Sequence, residues 1–217
     1  MRPRRLETGK AGYTPGVSQD HDHDHPRGEP APEAVLEASN ACLDYVLRAT
    51  GVKLDYTPET LSVLDHYLGL VRSDTKDRPE LVPLIARAVG AYFGEVVRTL
   101  VPSFWRLPSA NVVDWQLCAS AVFFAFNPIG AAYDALYASV EHDGPRSLFR
   151  VAPEDKDLLA ARLEAMPEVP EDEYYLLTTR IEVIEASVEA LRARLEAKGY
   201  GESEFTEEDY APDLLLS

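Results

Sequence analysis

The chain has 217 residues, 21 of them Lys or Arg and 37 Asp or Glu, for a formal charge of -16 with histidine neutral. With 46% hydrophobic and 27% charged residues it is long enough to bury one core, too apolar to be wholly disordered, and without an apolar run of the ~18 residues that a membrane span needs. The sign of the charge repels phosphate backbones, so nucleic acid is not the expected partner; a basic protein partner is physically allowed, and the simpler reading is that the acidity keeps the protein soluble.

Residues 1–32 are rich in proline and glycine and nearly devoid of large apolar side chains, so they are expected to form a disordered tail. The basic start at Met1–Arg5 is not followed by an apolar stretch, which argues against a secretory signal and for a cytoplasmic protein. Within the tail, residues 20–25 read DHDHDH. An extended backbone puts His21, His23 and His25 on one side and the aspartates on the other, a weak metal-ligand pattern that would bear the full cost of ordering the tail. Otherwise no cofactor is expected.

A domain over residues 33–198 is expected to follow. Val35, Ser39, Cys42 and Val46 recur at helical spacing up to the stop at Gly51, and 52–56 alternates as a short strand or extended entry. Thr57, Pro58 and Glu59 form a helix start for a second helix, with Leu61, Leu64, Leu68 and Val71 on one face and an end before Ser73. A third helix opens at Pro79, its regular part delayed by Pro83, and runs to about Val101. It is apolar nearly all round and therefore central. Three short strands are expected in 104–107, 112–118 and 121–126, then a helix over 129–142, another over 153–166 and a long last helix over 171–198. Residues 199–217 are acidic and expected to be flexible. The fold class is α+β: a helix-rich single domain with a small antiparallel sheet, a disordered N-terminal tail and a long C-terminal helix.

The acidity is concentrated late, since residues 154–217 hold 18 acidic and 6 basic side chains. In the last helix Tyr174, Leu177, Ile181, Ile184, Val188, Leu191 and Leu195 step by threes and fours, an a/d seam over three heptads. Such a seam either packs on the chain's own core or forms a homo-oligomeric or partner-helix interface.

In the third helix Ala86, Gly90 and Gly94 make a small-residue stripe where a strand, a helix or a ligand can approach closely, and Glu95 and Arg98 are spaced to pair. With Trp105 and Asp114 they are the candidate residues of a ligand or enzyme site, the other explanation of Glu95 being a buried structural ion pair. His66 and His142 lack a positioned nucleophile or orienting partner nearby and are expected at the surface or near a helix end. Cys42 and Cys118 sit among apolar residues and are expected to be buried free thiols. The phosphate-loop, nucleophile-elbow, paired-cysteine and dinucleotide motifs are absent from the sequence.

Residues 54–68 (LDYTPETLSVLDHYL), 90–98 (GAYFGEVVR) and Trp105 together resemble a loose group of uncharacterised bacterial domains, over roughly residues 52–145. The resemblance implies a small α+β domain and brings no catalytic residues with it. Three functions are then open: a non-catalytic interaction protein using its acidic surface and C-terminal helix, in its specific form an immunity or antagonist protein; an enzyme or small-ligand binder near the third helix; and a metal-handling protein using the histidine tail.

Overall fold

A computed structural model of the chain describes residues 30–200 and 203–211. The elements run α1 (Glu33–Thr50), α2 (Leu61–Asp77), α3 (Val82–Leu100), β1 (Ser103–Arg106), β2 (Gln116–Ala119), β3 (Phe124–Phe126), α4 (Pro128–Tyr137), β4 (Arg150–Val151), α5 (Lys156–Glu164) and α6 (Leu177–Ala197). The strands form one antiparallel sheet in the order β1-β2-β3-β4. This is the helix-rich α+β architecture expected from the sequence.

α3 is the axis of the molecule. Fourteen of its residues are buried, from Val82 to Arg98, and it packs chiefly on α1 and α4. A turn of 3₁₀ helix over Pro79–Leu81 precedes it, as the second proline at Pro83 demands. The small-residue stripe is filled from within the chain. A β-carbon at Gly90 would sit 2.5 Å from the Cα of Ile129 in α4, and one at Gly94 would overlap the ring of Trp105 in β1.

Register divides the sheet into two faces, because alternate residues of a strand point opposite ways. Trp105, Leu117 and Phe126 lie across from one another and face α3, where Phe93 meets the Phe126 ring edge-on at 6.2 Å. Phe104, Cys118, Ala125 and Arg150 form the opposite row. That row is covered by residues 203–211, a strap that ends in a 3₁₀ turn at Glu207–Tyr210 with a capping box between Thr206 and Asp209. Tyr210 is wholly buried: its hydroxyl accepts from the Phe124 N–H at 3.0 Å and directs its one proton to the Ala119 carbonyl at 2.7 Å, with the Val122 carbonyl 3.0 Å away. The ring stacks on Phe123 at 4.8 Å, and Arg150 donates to the Tyr210 carbonyl at 2.7 Å. Flexibility expected for 199–217 is thus corrected for 203–211, where one aromatic anchor outweighs the acidic composition around it.

Other boundaries also move for identifiable reasons. α2 continues through Ser73 to Asp77, with Thr75 buried and donating to the Arg72 carbonyl. α4 stops early, at a left-handed Ala138. α6 begins at Leu177 and not near Glu171, because its first amides are capped from another helix: Asp65 of α2 accepts from the N–H groups of Leu177 and Thr178 at 2.8 and 3.1 Å and from the Thr178 hydroxyl at 2.9 Å. Seven positions on, Arg72 donates to the carbonyls of Leu136 and Ala135 at the end of α4. α2 therefore caps one helix start and one helix end with opposite charges, each matched to the dipole it meets.

Candidate functional site

Glu95, Arg98 and Trp105 meet, as their shared environment in the sequence suggests. Arg98 places a guanidinium nitrogen 3.0 and 3.2 Å from the two carboxylate oxygens of Glu95, Trp105 donates its indole N–H to the same carboxylate at 2.7 Å, and the Arg98 Nε donates to the Ser103 carbonyl at 3.2 Å. Glu95 and Arg98 are 3% and 2% exposed. A carboxylate so placed is neutralised and hydrogen-bonded where it is buried, which meets the condition for holding a charge inside a protein. Asp114 is not part of this group. It lies on the exposed turn after β1, where it accepts from the Ser109 hydroxyl at 2.6 Å. The structure thus assembles three of the four candidate residues and places the fourth elsewhere.

The two segments that carry the resemblance touch each other. Tyr56 stacks on Tyr92 with ring centroids 4.8 Å apart, and its N–H donates to the Tyr92 hydroxyl at 2.9 Å. Thr60 spends its proton on the Thr57 carbonyl at 2.8 Å, so the Tyr92 hydroxyl, also 2.8 Å away, donates to Thr60. Tyr56 has φ of +64°, a left-handed conformation that costs a non-glycine residue on the order of 1–2 kcal/mol and is held here by the stack and the Tyr92 contact. Asp55 accepts from both the hydroxyl and the amide of Thr57, and these bonds hold its carboxyl below the usual carboxylate range. The motif residues lock the segment that leads into α2 onto α3.

A second buried charge group was not visible in the sequence. Asp134 of α4, 1% exposed, accepts from His142 Nε2 at 2.8 Å, from the Ser147 hydroxyl and from Arg180 of α6 at 3.4 Å. The Gly144 N–H donates to His142 Nδ1 at 3.1 Å, which places the ring proton on Nε2. His142 is flanked by the rings of Tyr133 and Tyr137, and its side chain is fully buried. The surface position expected for it is corrected: its partner, Asp134, lies eight residues earlier and is reached by the loop folding back. His66 is exposed, as expected, and both cysteines are buried and unpaired, with Cys118 pushed up to about 12 by burial. His21, His23 and His25 lie outside the described residues. Among the described residues, no group of three or more His, Cys, Asp or Glu side chains is arranged to hold a metal ion.

The a/d seam is spent inside the domain. Leu177, Ile181, Ile184, Val188 and Leu191 are all buried, against α2, α3, α4 and α5. Tyr174 precedes the helix and is 56% exposed, and Leu195 is half-buried at the edge of the core. Of the two readings of the seam, packing on the chain's own core is the one the five buried residues follow, and the domain's own helices fill the knob positions that a second chain would need. What α6 turns outward is polar: Glu182, Glu185, Glu189, Arg192 and Glu196 are exposed. Exposed acids continue through Glu154, Asp157 and Glu164 around α5, Glu168, Glu171, Asp172 and Glu173 before α6, and Glu204, Glu207 and Glu208 on the strap.

Two adjoining clefts open on this acidic side, of about 620 and 780 Å³, sharing Leu195, Tyr200 and Ser203. Among the described residues no helix is long and apolar enough to cross a membrane. Neither the family models, nor the curated proteins, nor the solved structures include a match to this chain.

Proposed function

We propose that this protein is a non-catalytic interaction protein of the cytoplasm that presents the acidic half of its surface, the outward face of α6 with α5 and the strap, to a basic protein. In its specific form it is an immunity or antagonist protein covering a cationic toxin or enzyme, since opposite charge speeds encounter and rejects wrong partners. The observation that carries the reading is the division of labour in α6. Most of its apolar residues hold the domain together, with Leu195 half-buried at the edge, while Glu182, Glu185, Glu189 and Glu196 are left exposed along one helix and Glu164, Glu204, Glu207 and Glu208 are exposed on α5 and the strap. Carboxylates gathered at this density repel one another, a cost that a basic partner relieves. Glu95 supports the same reading from the other side, because its carboxylate is already engaged by Arg98 and Trp105.

Capture from the native cell tests the proposal. A partner held by the wild-type chain is expected to be released as salt is raised, and to be lost by a folded variant carrying Glu182→Gln, Glu185→Gln and Glu189→Gln. A partner that stays bound to this variant at high salt would overturn it.

A further inference from the structure

We infer that the cleft between the end of α6 and the strap is the docking site for a cationic amphipathic segment of a protein partner. The inference rests on the interaction reading above and fixes where on the acidic surface a partner inserts.

Four parts of the fold build the cleft: the turn between β2 and β3, the 3₁₀ turn before α5, the last turns of α6 and the strap. Its apolar lining includes Phe123, Leu191, Leu195 and Phe205, with Tyr200 at the lip. Tyr200 is 59% exposed, the highest value for any aromatic side chain among the described residues, on a stretch where the neighbouring glutamates would favour polar company. The lining exposes polar and apolar surface in about equal measure, with the Tyr200 and Phe123 rings as its aromatic part, a mixed character that suits an occupant with both kinds of side chain.

The rim is negative. Glu154, Asp155 and Asp209 line the first cleft against Lys198, and Glu196 and Glu204 line its continuation against Arg192. Two of these acids are occupied, since Arg194 lies 2.9 Å from Asp155 and Thr206 binds Asp209. Glu154, Glu196 and Glu204 have no ion pair among the described residues, and all three are exposed. Apolar floor and acidic edge together select a segment with leucine-like side chains on one face and lysine or arginine on the other, as amphipathic helices laid in grooves have. A purely cationic chain would leave the floor wet, and a purely apolar one would leave the glutamates without partners.

The test uses the full chain and three fluorescent synthetic peptides: an amphipathic leucine–lysine helix, a lysine peptide of equal charge, and a leucine–glutamate helix, read by anisotropy. The leucine–lysine peptide is expected to bind best. Replacing Tyr200→Ser together with Glu204→Lys, both on exposed positions, is expected to weaken it about tenfold. Glu182→Lys alone, nine residues from Leu191, the nearest cleft residue on α6, and so ~13 Å up the helix, is expected to weaken it less than about twofold. Equal losses from the two variants, or equal binding of the lysine peptide, would overturn the inference while leaving the acidic-surface reading standing. A native partner indifferent to Glu182→Gln, Glu185→Gln and Glu189→Gln would do the reverse. If the chain instead elutes as a dimer that Tyr200→Ser dissociates, the occupant is a second copy and the inference is wrong.

Discussion

The two faces of the four-stranded sheet are covered in different ways. The inner face lies under α3, a 19-residue helix that brings Phe93, Glu95 and the Gly94 gap to meet Phe126 and Trp105. The outer face lies under nine residues of strap, held chiefly by Tyr210, whose hydroxyl engages the β2–β3 turn. The inner cover is built from many contacts along a rigid element and is buried on nearly all sides. The outer cover concentrates its hold at two aromatic side chains, Tyr210 and Phe205. A cover of the first kind is redundant apart from its buried charges. A cover of the second kind rests on few contacts, Tyr210 chief among them, with the Phe205 N–H on the Ser120 carbonyl at 2.7 Å and the Phe205 ring against Phe123 beside it.

The largest effect should come from breaking the inner charge group. Glu95→Ala leaves the Arg98 guanidinium and the Trp105 N–H buried without their acceptor, and urea unfolding is expected to show a loss of about 3–5 kcal/mol. A loss under about 1 kcal/mol would mean that water reaches the group. On the outer face Tyr210→Phe keeps the ring stack and removes the hydroxyl, for an expected loss of about 1–3 kcal/mol. Hydrogen exchange should report that loss at Phe124 and its neighbours, leaving α3 amides protected. If α3 loses protection equally, the two covers are one cooperative unit and the contrast between them fails.

Alkaline pH probes both faces together with a smaller effect near neutrality. Burial pushes Tyr67 and Tyr92, on the helical side, up to about 12, pushes Cys118 on the outer row up to about 12 and raises Tyr210 beside it. The unfolded chain therefore releases these protons first. Stability is complete below the groups' ordinary values and is lost as pH climbs through them toward about 12. Chemical denaturation across that range should show the decline, and a flat profile would contradict the burial of these groups. Smallest of all is the pair between Arg162 and Glu189, 3.7 Å apart with exposed side chains. Glu189→Gln is expected to change stability by less than about 1 kcal/mol, so that its effect on partner capture can be read without a folding defect.

Much of the inner face was legible in the sequence, and for a physical reason. Helical periodicity, an almost fully apolar circumference and glycines at 90 and 94 all encode the same requirement, close packing around one helix. Glu95 and Arg98 could be paired by spacing alone. The outer face was not legible, because its cover depends on where Tyr210 lands and nothing local in an acidic segment distinguishes an anchor from a solvated tyrosine. The same holds for α6. Its seam was readable, but its starting residue is set by Asp65, 112 positions away, a cap that no local pattern encodes. His142 was misplaced for a similar reason, as its environment is made by Asp134, Ser147 and the folding back of the loop between them. β4, two residues long, exists only because the edge of β3 is there to receive it.

The Tyr210 anchor also sets a timetable for synthesis. Phe124 and Tyr210 are 86 positions apart, so at roughly 5–20 residues per second the ribosome delivers the strap some 4–17 seconds after the strand it protects. For that interval the nascent sheet carries Phe104, Cys118 and Ala125 uncovered, while α3, made earlier, is already at hand for the other side. Chaperone capture and misassembly of the newborn chain should therefore centre on that row, and any premature stop between residues 127 and 209 would leave it bare for good.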